Sequence, residues 1–366
     1  KTGFKNGNMA NRARLLDEHL HRVEERTRSI LEASTQQVVS QNRGEEWWPA
    51  LVQHFGTEGE MFERLKINRD VFEDALALVS EVANLTRGRR GKIRSNREKL
   101  FFLMVFLSRG VEVLEVLVTQ NIKTREHILE NAKTFARLFH GNIVGAVRFY
   151  NEVDPDALDA AMIVDCTVCK IRRPKRPFDE AKVFFSGKHF IYALKKEVCV
   201  NVRSGTAALI SRAYPGSVHD ITILREHAAE VNRMLGGRSL LADLGYRGIQ
   251  RDIPTAVFCD QGQRLRAKRV LVECYFGRLK LLWSVFTTTW KLDQESFDLF
   301  FDLACAFTNL DILHRPLRES DLAFNEGILN SLLIEQERKE QKQRWANIEY
   351  RERRRARLGM DQFDGL

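Results

Sequence analysis

Two short apolar runs, each carrying an aspartate, constrain this chain more than any other feature. Residues 160–171, AAMIVDCTVCKI, have the length and β-branched content of a buried strand and hold Asp165 at their centre. Residues 239–246, SLLADLGY, form a second such run that Asp243 closes, with Gly245 turning the chain just past the strand end. A third acid, Glu273, lies in residues 269–280, RVLVECYFGRLK, which read as a helix. Arg269, Glu273, Phe276 and Lys280 recur there at spacings of four, three and four, so they share one face.

A buried carboxylate is costly unless its charge is compensated. Two acids at the carboxyl ends of core strands, with a third from a helix packed on the sheet, are cheapest to keep around a divalent cation. Oxygen ligands select Mg²⁺ or Mn²⁺ over softer metals, and such an ion keeps positions open for water and phosphate, as phosphodiester cleavage requires. Taken alone, Arg269 and Glu273 also read as an ordinary i,i+4 surface ion pair.

Four blocks then resemble the signature blocks of the DDE superfamily endonucleases, nearest to the Harbinger-like transposases and the nucleases derived from them. They are VDCT at 164–167, YPGSVHDI at 214–221, LLADLGYR at 240–247 and RVLVECYFGRLK at 269–280, in the family's order. LACAFTN at 303–309 resembles the small-residue helix ending in Asn that follows. The resemblance implies that Asp165, Asp243 and Glu273 are the catalytic, metal-binding triad, and that the domain has the α/β ribonuclease-H-like fold. It also implies an amino-terminal helix-turn-helix region and a Myb-like accessory protein.

Composition is consistent with this and less specific. The 366 residues are enough for two domains, and a net charge of +9 with 44% hydrophobic content fits a globular protein with an anionic partner such as DNA. Six cysteines without framework spacing read as reduced thiols in a cytosolic or nuclear compartment, and Cys166 and Cys169 fall on opposite faces of a strand, against a zinc site. The longest apolar run, 100–107, is too short to span a bilayer, and no charged-then-apolar leader opens the sequence, although a start at Lys1 leaves a missing leader open.

In chain order, residues 1–44 read as a polar extension with an amphipathic helix at 13–23, suited to forming a homodimer or to packing on the body. Residues 45–155 read as an all-α region. Within it Trp47 and Trp48 are core anchors, Asp70 caps a helix, and 86–95 is a basic, glycine-punctuated linker. Helical segments at 111–119 and 124–139 around the short turn 120–123 give the candidate helix-turn-helix, about 97–139, with Arg125 and Lys133 on the outward face. Residues 156–317 are the catalytic region: a long strand at 190–202, another at 207–213, a turn at 215–220 feeding one helix to Leu235, then the Asp243 strand. The loop after the first strand carries Lys170, Arg172, Arg173, Lys175 and Arg176; a nuclear-localisation signal and a DNA-backbone clamp are both reasonable readings, and its position next to Asp165 favours the clamp. Asp220 reads as a helix start or cap, or as an accessory carboxylate, and His219 as a turn residue or one approaching the site. Residues 318–366 are a charged tail suited to nuclear import or non-specific DNA contact.

The expectation is a nuclear, metal-dependent DNA endonuclease or transposase that uses two Mg²⁺ or Mn²⁺ ions, with Arg269 and Lys280 orienting phosphate. The alternative is a domesticated descendant that binds DNA or protein without cutting. A carboxylate-pair glycosidase leaves the basic loop and the Arg269–Lys280 stripe unexplained.

Overall fold

The computed structural model describes residues 47–79, 82, 95–118, 124–147, 161–258, 263–321 and parts of 325–353. The expected helix at 13–23, nearly all of the basic linker, the 120–123 turn, the boundary at 154–156 and the end of the charged tail lie outside those residues.

The first half is helical: α1 (Trp47–Phe55), α2 (Glu58–Leu65), α3 (Arg69–Leu78), α4 (Asn96–Val118) and α5 (Arg125–Val147). Trp47 is buried, and Trp48 stacks on Phe72 at 6.1 Å and meets Phe101 edge-on at 5.0 Å, so both tryptophans are core anchors. Helix α3 is capped by Asn68, whose side chain accepts from the Asp70 backbone N–H, and not by Asp70 as the sequence suggested. Helix α4 breaks at Gly110, whose φ of 81° only glycine adopts without strain, so the segments before and after it are separate helices end to end. Helix α5 runs eight residues past the expected end at Phe139, because Ile143, Val144 and Val147 carry its buried stripe onward.

The second half is a mixed seven-stranded sheet with helices on both faces. In order it contains β1 (Met162–Lys170), α6 (Phe178–Lys182), β2 (Phe185–Ser186), β3 (Ile191–Asn201), β4 (Ala207–Ile210), β5 (Tyr214–Pro215), α7 (Asp220–Glu226), α8 (Ala228–Leu235), β6 (Leu240–Ala242), β7 (Ala256–Phe258), α9 (Gln263–Leu282) and α10 (Gln294–His314). The main path is β2-β3-β1-β6-β7, with β4 and β5 also pairing β3. Strand β1 is antiparallel to β3 and parallel to β6. The expected strand 207–213 is split into β4 and β5, and the expected helix to Leu235 is interrupted at His227, which leaves helical geometry with its ring nitrogen bonded to Glu197.

Side-chain alternation along β1 sorts the core into two layers. Met162 and Val164 face the cluster built with α7 and α8, while Ile163 and Cys169 face the larger cluster shared by α9, α10 and the amino-terminal helices. Cys166 packs on the first layer and Cys169 belongs to the second, as odd spacing requires.

Helix α10 joins the two halves. Its fully buried Asp311 accepts from Arg278 at 2.6 Å, from Asn68 at 3.2 Å and from Arg315. Buried Lys196 of β3 donates to Asp298 of α10 at 2.5 Å. Lys133 donates to Asp293 at 2.6 Å, and Arg125 bonds Glu112 at 2.9 Å. Both of these candidate DNA contacts are therefore engaged in ion pairs within the protein. Among the described residues no helix is long and apolar enough to cross a membrane.

His314 of α10 pairs with Asp74 of α3 at 2.7 Å, and that hydrogen bond raises its pKa above the usual histidine value. A raised histidine pKa contributes stability that is fully present below about pH 6.5 and is lost as pH climbs through the folded-state value. His314→Gln therefore lowers stability by about 1 kcal/mol at pH 5.5, and the gap to wild type narrows by pH 8.5 in thermal melts.

Candidate active site

The register of β1 on β6 pairs Met162 with Leu240 and Ile163 with Leu241; continued by two residues, it sets Asp165 beside Asp243. Neighbouring strands lie about 4.8 Å apart, so two carboxylates leave the sheet side by side. The physical cost is visible at Asp165. Burial, followed by the charges of Asp243 and Asp220, pushes its pKa up to about 6, although the Cys166 backbone N–H donates to its Oδ1 at 2.8 Å and Arg269 pulls the other way.

Asp243 ends β6 and caps the short turn Leu244–Tyr246, accepting from the Gly245 N–H at 2.7 Å. A Cβ at Gly245 would lie 2.9 Å from Asp243 Oδ1, so a larger residue there would push that carboxylate from its cap position. Asp220, the first residue of α7, does not cap it; its Oδ1 accepts from Lys195 Nζ at 2.8 Å. His219 holds the N-cap position with its backbone only, and its side chain is exposed.

Arg269 on α9 sits among these acids. Its Nη2 is 4.0 Å from Asp243 Oδ2 and its Nε is 3.3 Å from Glu273 Oε1. The i,i+4 pair is thus formed, and it connects Glu273 to Asp243 through a shared guanidinium. Phe276, on the same predicted stripe, is buried in the core, while Lys280 turns back to the Val168 carbonyl at 3.4 Å. Lys170, Arg172, Arg173, Lys175 and Arg176 are largely exposed just past β1.

All the acids at this centre are hard oxygen donors, which suits Mg²⁺ or Mn²⁺ and gives no purchase to thiophilic metals. Among the described residues no three His, Cys, Asp or Glu side chains already stand in ligating positions. In this structure Arg269 supplies the positive charge between Asp243 and Glu273.

Behind the carboxylates lies a polar network that sequence reading missed. Glu197 of β3 is fully buried and its Oε1 is 2.7 Å from His227 Nε2; Tyr246, three residues past Asp243, meets Cys166 Sγ at 3.4 Å. Burial raises the Glu197 carboxyl and His227 and Tyr246 pull it back down. The available signal was the charged triplet Lys195-Lys196-Glu197 inside a strand, since charged residues buried on a core strand need partners.

At the far end of the site, Asn309 of α10 bonds both backbone groups of Ala207 at 2.8 and 2.9 Å, fixing the helix to β4. Residues 164–309, from the residue before Asp165 to this asparagine, match the family model of the DDE superfamily endonucleases. No curated protein and no solved structure matches the chain.

Proposed function

Because residues 164–309 are those of a DDE superfamily endonuclease domain, we propose that the chain is a divalent-metal-dependent DNA endonuclease of transposase type, working in the nucleus through Asp165, Asp243 and Glu273. The observation that carries this reading is the approach of Asp165, inside β1, to Asp243, just past the end of the parallel strand β6, close enough for their charges to act on one another, with Arg269 of α9 linking Asp243 to Glu273.

Asp165, Asp243 and Glu273 would hold Mg²⁺ or Mn²⁺, and Asp220 is a further oxygen donor at the rim. Bound there, a pair of such ions supplies an activated water and neutralises the leaving oxygen of a phosphodiester. The protein's own part is positioning. Asp165 is half-buried and accepts from the Cys166 N–H, and Asp243 accepts from the Gly245 N–H, so both carboxylates are held in place before anything binds. Glu273 is half exposed and pairs with Arg269; releasing it frees Arg269 to meet a phosphate.

DNA backbone contact falls first to the exposed loop of Lys170, Arg172, Arg173, Lys175 and Arg176. A helix-turn-helix role for α4 and α5 would require Arg125 and Lys133 to exchange Glu112 and Asp293 for phosphate.

A binding-only function has one observation in its favour, the guanidinium that stands between Asp243 and Glu273. Nicking of supercoiled plasmid across Mg²⁺, Mn²⁺ and Ca²⁺ separates the two. Cleavage with Mg²⁺ or Mn²⁺ supports the nuclease; intact plasmid under conditions where the protein binds it supports the binder.

A further inference from the structure

One residue at the start of the strand that leads to this site is both strained and exposed in a way the fold does not require. Phe190, at the tip of the turn joining β2 to β3, has φ of 57° and a side chain 79% exposed. A bulky residue with positive φ costs on the order of 1 kcal/mol or more, and glycine or asparagine would fill the position at less cost. The large apolar ring also gains little from folding when left in water.

The turn is rigid and its surroundings are basic. The Phe190 and His189 backbone N–H groups both donate to Ser186 O, at 2.8 and 3.3 Å, and the hairpin stem is braced by Phe185 against Tyr192, ring to ring at 5.4 Å. His189, next to the ring, has its pKa lowered by burial and then by Lys188, Lys195 and Lys280, with Asp220 opposing them. Further along the same strand, Lys195 donates to Asp220 Oδ1 at 2.8 Å beside the carboxylates. Five residues of strand, about 17 Å, separate Phe190 from Lys195, a span of a few nucleotides along a DNA strand. A second exposed aromatic, Phe178 of α6, lies under the Arg173 guanidinium at 6.0 Å.

We propose that Phe190 is a stacking platform for an unpaired nucleobase of the DNA strand that enters the carboxylate site. Single-stranded nucleic acid is held by basic grooves with aromatic rings on which bases stack, and the hydrogen-bonded turn fixes the Phe190 backbone before anything binds. The proposal rests on the DNA-cleaving reading for its ligand, and its test is a binding measurement that does not depend on cleavage.

The probe is a single-stranded 20-mer of thymidines with one 2-aminopurine, titrated in Ca²⁺ against the full chain, Phe190→Gly and Phe190→Trp. Wild type is expected to bind and quench the probe. Phe190→Gly relieves the backbone strain, so its melting temperature stays the same or rises, yet its affinity falls about tenfold, the scale of one lost base–aromatic stack. Phe190→Trp restores both affinity and quenching. Unchanged affinity in Phe190→Gly, or absence of quenching by wild type, overturns the proposal, as does a Phe190→Trp variant that fails to recover binding. Absence of plasmid nicking in wild type would instead remove the nuclease reading and leave this result standing.

Discussion

Asp165→Asn lowers metal-dependent plasmid nicking by about a hundredfold to a thousandfold while leaving the fold and DNA affinity close to wild type. Asparagine keeps the shape of the side chain and an oxygen to accept the Cys166 N–H, so the lost quantity is the negative charge. Removing one preorganised charge-stabilising group from a site costs roughly 3 to 4 kcal/mol of barrier, which is the stated factor. The same substitution leaves the metal-free protein as stable as wild type or more so at neutral pH. Asp165 titrates near 6 in the folded chain, above its ordinary value near 4, because burial and the charges of Asp243 and Asp220 disfavour its ionised form. Between those values the folded state binds more protons than the unfolded one, so this group's contribution to stability falls as pH rises through the window and the full penalty applies above it. Thermal melts from pH 4 to 8 should show a decline in wild type that is flatter in Asp165→Asn. A mutant that nicks at the wild-type rate removes Asp165 from the chemistry.

Asp311→Ala is the substitution expected to damage the fold most. The carboxylate is fully buried and is shared by Arg278 of α9, Arg315 at the end of α10 and Asn68, the cap of α3. Truncating it leaves Arg278 largely buried without its main acceptor, and it unlocks the only side chain that ties the α3 cap to both late helices among the contacts described. Breaking a buried pair from one side costs about 3 kcal/mol, here toward the low end because half-exposed Arg315 can turn to water. For a chain of 366 residues that corresponds to a drop of roughly 4 °C in melting temperature. A leucine at the same position should recover part of the loss, since it refills the space without recovering the charge. A loss below about 0.5 kcal/mol would mean that the helical half is held to the sheet by its apolar contacts alone.

Local pattern made the strands and their acids legible. Residues 160–171 and 239–246 read as core strands because their apolar runs are short, β-branched and bounded, and the structure has the parallel pair β1 and β6 there, with Asp165 inside the first and Asp243 just past the second. The basic loop after β1 and the end of α8 at Gly236 were equally plain from proline and glycine placement. What stayed hidden was long-range. Nothing local tells that His227 leaves the helix to reach Glu197 thirty residues earlier, or that Lys195 pairs with Asp220. Likewise Asn68 displaced Asp70 as a cap through a local competition that spacing does not resolve. Arg125 and Lys133 looked free on a helical wheel, and only the packing of α5 against α10 and α4 shows their partners. The triad itself is half legible: two acids come from strand register, and the third from a helix face whose Arg269 was read as a phosphate ligand and is seen holding Glu273.

The central claim is that Asp165, Asp243 and Glu273 can share a hard divalent cation once Arg269 gives way. Mn²⁺ binding followed by electron paramagnetic resonance, with wild type and Asp165→Asn compared at pH 7.5, tests it without reference to any DNA sequence. The account predicts saturable Mn²⁺ binding in wild type that weakens at least tenfold in the mutant. Equal binding by the two proteins, or none by wild type in the millimolar range, would contradict it.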